Sequence, residues 1–89
     1  MMSAQVTRDA AETLALQALA HIAGDDDLGP RFLDLTGLDV RTLRARAGQS
    51  DVLAAALGFL AGHEASLVAT AAAIGVSPAR LVAAQQVLA

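Results

Sequence analysis

The chain has no cysteine, no tryptophan, no tyrosine and no lysine, and only two prolines. Without thiols, neither a disulfide framework nor a thiolate metal site can hold the fold, and nothing points to an oxidising compartment. Stability has to come from packing. The aromatic set is Phe32 and Phe59 alone, which leaves no tryptophan or tyrosine to stack a nucleobase or anchor an interface. Charge is sparse as well: 17% of residues are charged, against roughly 25% in ordinary soluble domains. All six basic residues are arginines, Arg8, Arg31, Arg41, Arg44, Arg46 and Arg80, and the net charge of −3 opposes general affinity for a polyanion. Residues 1–6 lack a basic segment followed by an apolar one, so no signal peptide is expected and the cytoplasm is the default location.

What is abundant is small and apolar. Hydrophobic residues make up 55% of the 89, many of them alanine, which is more than one small core readily hides. The surplus points to self-association or a docking face. The plain alternative is that alanines coat helix surfaces at little cost. A chain this short holds one core, and the expected division is a flexible N-terminus over 1–8 followed by a single helical domain over 9–89. The apolar stretch over 52–76 could be mistaken for a membrane span. His63 and Glu64 interrupt it, the clean run over 65–76 is shorter than the ~20 residues a bilayer requires, and Gly58, Gly62 and Gly75 break it up, so two buried helices are expected.

Polar caps and closing glycines recur in a way that marks helix starts and stops. A first helix over 9–23 opens on Asp9, with Glu12 completing a capping box, and closes on a left-handed Gly24. Asp25, Asp26 and Asp27 form a turn. A second helix over 28–36 has Asp27 as cap and Pro30 in its first turn, and ends at Gly37. Asp39 caps a third over 40–47, Ser50 a fourth over 51–61, a fifth spans 64–74 up to Gly75, and Ser77-Pro78 opens a sixth that runs to the end. No alternating β-branched run or hairpin turn is present. The expected class is therefore all-α: a compact bundle of about five or six short helices with helix-turn-helix-like corners. In the first helix, Thr13, Gln17 and His21 make one narrow polar stripe, which fits a central helix or part of a dimer seam. In the fourth, Ala54, Gly58 and Gly62 form a small-residue ridge where another backbone is expected to come close.

Sliding the chain over itself so that Gly37 meets Gly75 also aligns Leu33 with Ala71, Asp39 with Ser77 and Leu43 with Leu81. Both stretches read as helix, glycine, apolar residue, polar cap, helix, which is either a duplication or a chance sharing of common helix-pair grammar. Ala71, Gly75 and Leu81 also occupy the small, turn and anchor places of a helix-turn-helix. Reading DNA requires side chains that reach bases and phosphates. The last helix offers only Arg80, Gln85 and Gln86, whereas Arg41, Arg44 and Arg46 follow the first corner and are the candidate nucleic-acid contacts. For those arginines the competing account is a solvated face near a helix C-terminus.

Three segments together, Leu16-Gln-Ala-Leu19-Ala-His-Ile-Ala, Arg31-Phe-Leu-Asp-Leu-Thr-Gly-Leu-Asp39, and 52–64 with its Gly-Phe-Leu core, carry a resemblance over nearly the whole length. The sequence resembles a bacterial family catalogued as domain of unknown function 3572. That resemblance implies a short helical cytosolic protein and brings no activity or site with it.

The inventory for chemistry is thin. His63 and Glu64 are adjacent and point to different helix faces, so they do not share a ligand as residues four apart can. His21 ends the polar stripe. Asp25 to Asp27 lack the spaced acids of a calcium loop. Ser50 and Ser77 sit at capping positions with no histidine nearby in sequence. No catalytic residue, metal ligand or cofactor is assigned, and the chain is not expected to be an enzyme. The leading expectation is a binding module that offers an apolar patch to a second copy or a protein partner, with Leu14, Ala18, Ile22, Phe59, Val82 and Leu88 as candidate interface residues. A helix-turn-helix DNA-binding regulator is the second reading, and a metal-dependent or hydrolytic enzyme trails both.

Overall fold

The computed structural model describes residues 6–89, and over them the chain forms six helices and no strand: α1 (Arg8–Gly24), α2 (Leu28–Thr36), α3 (Val40–Arg46), α4 (Ser50–Ala61), α5 (Glu64–Ile74) and α6 (Pro78–Leu88). Helix α1 packs against α2, α4, α5 and α6, which makes it the central helix that its narrow polar stripe suggests. Its buried face is Ala11, Leu14, Ala15, Ala18, Leu19 and Ile22, the i, i+3, i+4 spacing of a helix facing a core. Half of that face is alanine, and such short side chains let neighbouring helices approach closely. Thr13 and Gln17 are exposed and His21 is half-buried, with Leu16, Ala20 and Ala23 widening the same outer strip.

The start of α1 differs from the capping-box expectation. Thr7, not Asp9, is the cap: its Oγ1 accepts the Ala10 N–H at 3.1 Å, and its carbonyl accepts Ala11 N–H at 2.8 Å. Val6 is 7% exposed and joins the core, so the folded unit begins before the expected boundary at residue 9. Of the N-terminal stretch expected to be flexible, residues 1–5 lie outside the described range. Gly24 stays within α1 instead of turning left-handed, and Asp25 closes the helix by donating its N–H to the Ile22 carbonyl at 3.1 Å.

The core gathers Ile22, Phe32, Leu57, Leu60 and Leu81, all essentially without solvent contact. Each contributes roughly 1.5–3 kcal/mol on burial. Phe32 meets Phe59 edge to face, with ring centroids 5.5 Å apart and planes at 69°. The apolar stretch from α4 into α5 is two helices bent by 117°, and no single helix among the described residues is long and apolar enough to cross a membrane. His63 marks the bend: its backbone N–H donates to the Leu60 carbonyl at 2.9 Å, and its Nδ1 lies 3.3 Å from the Phe59 carbonyl.

Three local expectations are overturned. Gly58 was expected to let a backbone approach α4, yet a Cβ there would meet nothing within 4 Å. The close approach is at Gly29 at the start of α2, where a Cβ would stand 3.2 Å from the Ile22 carbonyl oxygen and 3.4 Å from that of Ala23. Ser50 is not a cap either. It is the first residue of α4, and its hydroxyl accepts from the Arg8 guanidinium at 3.3 Å. Asp27 makes no capping bond and instead pairs with Arg31 one turn on, at 3.3 Å.

The two aligned corners share their local structure. Gly37 and Gly75 are the two left-handed glycines, at φ 74° and 80°. Asp39 accepts the Thr42 N–H at 2.7 Å, and Ser77 Oγ accepts the Arg80 N–H at 3.2 Å. Leu43 and Leu81 are the buried anchors. The surroundings differ. Helix α6 packs against α1, α4 and α5, whereas α3 buries Leu43 alone and is otherwise exposed or half-buried along its length.

Candidate functional site

The six residues expected to form an interface are not exposed together on one surface. Leu14, Ala18, Ile22, Phe59 and Leu88 are buried in the chain's own core, and Val82 is half-buried against it. The periodicity that singled them out marks a face that must be covered, and the monomer covers it. The apolar residues left in solvent are others: Leu16 at 47%, Val40 at 57%, Leu35 at 68% and Val68 at 48% exposure.

Two of these, Leu16 and Val40, face one feature. Between α1 and α3 runs an open groove of about 260 Å³ lined by Leu16, Leu19, Ala20 and Ala23 on one wall and Val40, Leu43, Arg44 and Ala47 on the other. The guanidinium of Arg44 is its charged element. The groove continues in both directions. Past Leu16, towards the N-terminus of α1, a hollow of about 320 Å³ is bordered by Asp9, Glu12 and Thr13, with Gly48 and Leu53 opposite. Past Ala23, a hollow of about 220 Å³ runs under Val40 and Leu43 to Pro30 and Leu33 of α2. The lining residues descend along α3 as they climb along α1, so α3 forms the second wall in the opposite chain direction. The channel is acidic at one end, apolar at the other, and carries the Arg44 guanidinium on the α3 wall of its middle.

On its other side α3 faces a third hollow, about 280 Å³, between Phe32 and Thr36 of α2 and Val52 and Ala55 of α4. Across this hollow Arg46 pairs with Asp51 and also donates to Gln49 Oε1 at 3.1 Å. That tie and the Leu43 anchor are what hold α3 against the body of the molecule. The cap at its start is strong: hydrogen bonds from the Thr42 backbone and hydroxyl, then from the Arg41 backbone, hold the Asp39 carboxyl below the usual aspartate range.

The three arginines considered for nucleic acid are thus not equivalent. Arg46 is committed to Asp51, while Arg41 and Arg44 are exposed and make no ion pair among the described residues. In the second corner, α6 leaves Ala79, Arg80 and Gln86 exposed. Among the described residues no three His, Asp or Glu side chains gather as a metal site would need. Ser77 serves as a cap, Ser50 holds Arg8, and Asp27 holds Arg31.

One buried polar group lay outside the sequence reading. Thr70 on α5 is fully buried, and its hydroxyl has no hydrogen-bond partner among the described residues. Nothing in the sequence separates it from the alanines and valine around it, because a single threonine in an apolar helix gives no periodic signal.

A family model matches residues 8–89 and is described as "Protein of unknown function (DUF3572)". No curated protein and no solved structure matches the chain.

Proposed function

The chain belongs to this family of proteins of unknown function, and from that premise we propose that it is a binding module whose working surface is the α1–α3 groove. The observation that carries the reading is the joint exposure of Leu16 and Val40, 47% and 57%, on the two walls of one open apolar channel. Exposed aliphatic side chains scattered over a surface mean little, but paired across a concave strip with a single guanidinium beside them they form the apolar centre and charged rim of a recognition surface. A photo-crosslinking residue placed at position 16 or 40 in the native host is expected to yield discrete protein adducts that the same residue at exposed Ala65 on α5 does not. Equal labelling from all three positions would remove the groove from consideration.

Nucleic-acid binding through α3 is the second reading, favoured by the exposure of Arg41 and Arg44 on one helix face. Net charge and the engagement of Arg46 by Asp51 weigh against it. A mobility-shift titration decides it: no retardation of duplex DNA at low salt ends the idea.

A further inference from the structure

Resting on the groove as the working surface, we propose that its occupant is the α1 ridge of a second copy of this chain, packed antiparallel about a twofold axis at Leu16. Leu16 is the central residue of the 17-residue α1 and the point where the acidic hollow meets the apolar groove. A twofold interface has to be self-complementary, because each patch meets its own image. This one is. Antiparallel pairing about Leu16 sets Glu12 against Ala20 of the partner subunit and Asp9 against the partner's Ala23, and Arg44 borders those two alanines in the groove. Glu12 is engaged by Arg8 at 3.6 Å, whereas the Asp9 carboxylate and the Arg44 guanidinium have no ion-pair partner among the described residues. Antiparallel packing supplies each with the other, twice per dimer.

Parallel pairing would stack Asp9 on its own image and Arg44 on its own image, which like-charge repulsion disfavours. The ridge itself suits a close helix crossing: Thr13, Leu16, Gln17 and Ala20 are short or flexible, and the small residues let the leucines of the two copies meet over the groove. At ~1.5 Å per residue α1 presents an edge of about 25 Å along which the two copies can meet.

The test combines sedimentation equilibrium with a cysteine trap, which the cysteine-free chain permits without background. The wild-type chain is expected to be dimeric at micromolar concentration and to dissociate more readily as salt rises. Leu16→Glu, at a position exposed in the monomer, is expected to weaken dimerisation by about a hundredfold or more with helical content unchanged. Asp9→Arg and Arg44→Asp each weaken it by roughly tenfold, and the double swap recovers most of the loss. Leu16→Cys forms a covalent dimer on mild oxidation, and Val68→Cys on exposed α5 does not. A wild-type chain monomeric at all concentrations, a dimer indifferent to Leu16→Glu, or charge reversals that fail to rescue one another would each overturn the proposal. Adducts from positions 16 and 40 that contain a different protein, found alongside a monomeric chain, would keep the groove as the working surface while discarding the second copy as its occupant.

Discussion

At the first corner, Gly37 turns left-handed, Asp39 caps α3 through Thr42, and Leu43 is the anchor; at the second, Gly75 turns left-handed, Ser77 caps α6 through Arg80, and Leu81 is the anchor. The local parts match, but the finished corners do not. Around Leu81 the neighbouring helices close on every side, while α3 is bordered by an apolar groove, a hollow against α2 and a third hollow under the Arg46–Asp51 pair. Backbone grammar of this kind specifies a turn and two helix ends, because it acts through hydrogen bonds and dihedral angles within a few residues. It does not specify what the second helix packs against. In this molecule the same signal produces one corner that builds the core and one that builds a surface.

Substitutions at the anchors should break the symmetry most. Leu81→Ala is expected to cost about 3 kcal/mol, because the space it empties is enclosed, and Leu43→Ala about half of that, because its surroundings already open to solvent. Urea denaturation of both variants measures the difference, and equal losses would mean that α3 is as tightly packed as α6. The glycines should instead restore the symmetry. Gly37→Ala and Gly75→Ala are each expected to cost roughly 1–2 kcal/mol for the left-handed backbone, by nearly equal amounts, since a Cβ at either place meets nothing within 4 Å. A large gap between those two thermal denaturation midpoints would show that tertiary packing reaches into the turn.

Thr70 lies in the helix that feeds the closed corner, and its unpartnered hydroxyl makes the closed side carry a small internal penalty. Thr70→Val keeps the shape and removes the polar atom, and a gain of about 1 kcal/mol in denaturant stability is the expected outcome. The smallest effect separates the two caps by pH. The folded-state pKa of Asp39 is depressed, so its contribution is present above the ordinary value of 3.8 and is lost as pH falls through the lowered folded value. Ser77 does not titrate. Hydrogen exchange followed as pH falls below 3.8 should therefore show protection falling at α3 amides while that of α6 stays level, and parallel loss at both would assign the change to global unfolding instead.

Much of the architecture was legible in the chain before any coordinates. The bounds of α2 and α5, the end of α2 at Gly37 and of α5 at Gly75, and the caps Asp39 and Ser77 follow from chemistry confined to neighbouring residues. Where two local options compete, tertiary packing chooses between them. Thr7 and Asp9 are both capping residues two positions apart, and the helix took the earlier because Val6, just ahead of it, could be buried. The groove was less legible than the fold. Leu14, Ala18 and Ile22 look like an interface because they are periodic and apolar, which is equally the mark of a core. Leu16 has the same residue type as its buried neighbours Leu14 and Leu19, and only its 47% exposure on the outer strip of α1 distinguishes it.

The chain by itself determined an all-helical protein, where most of its helices begin and end, and that two glycine corners would share one local design, because capping hydrogen bonds, backbone dihedrals and apolar periodicity are set within a turn or two of sequence. Only the tertiary structure decided which apolar residues vanish into the core and which remain along the α1–α3 channel. Burial depends on the helices that arrive from elsewhere in the chain, and at α3 too few of them arrive to close it.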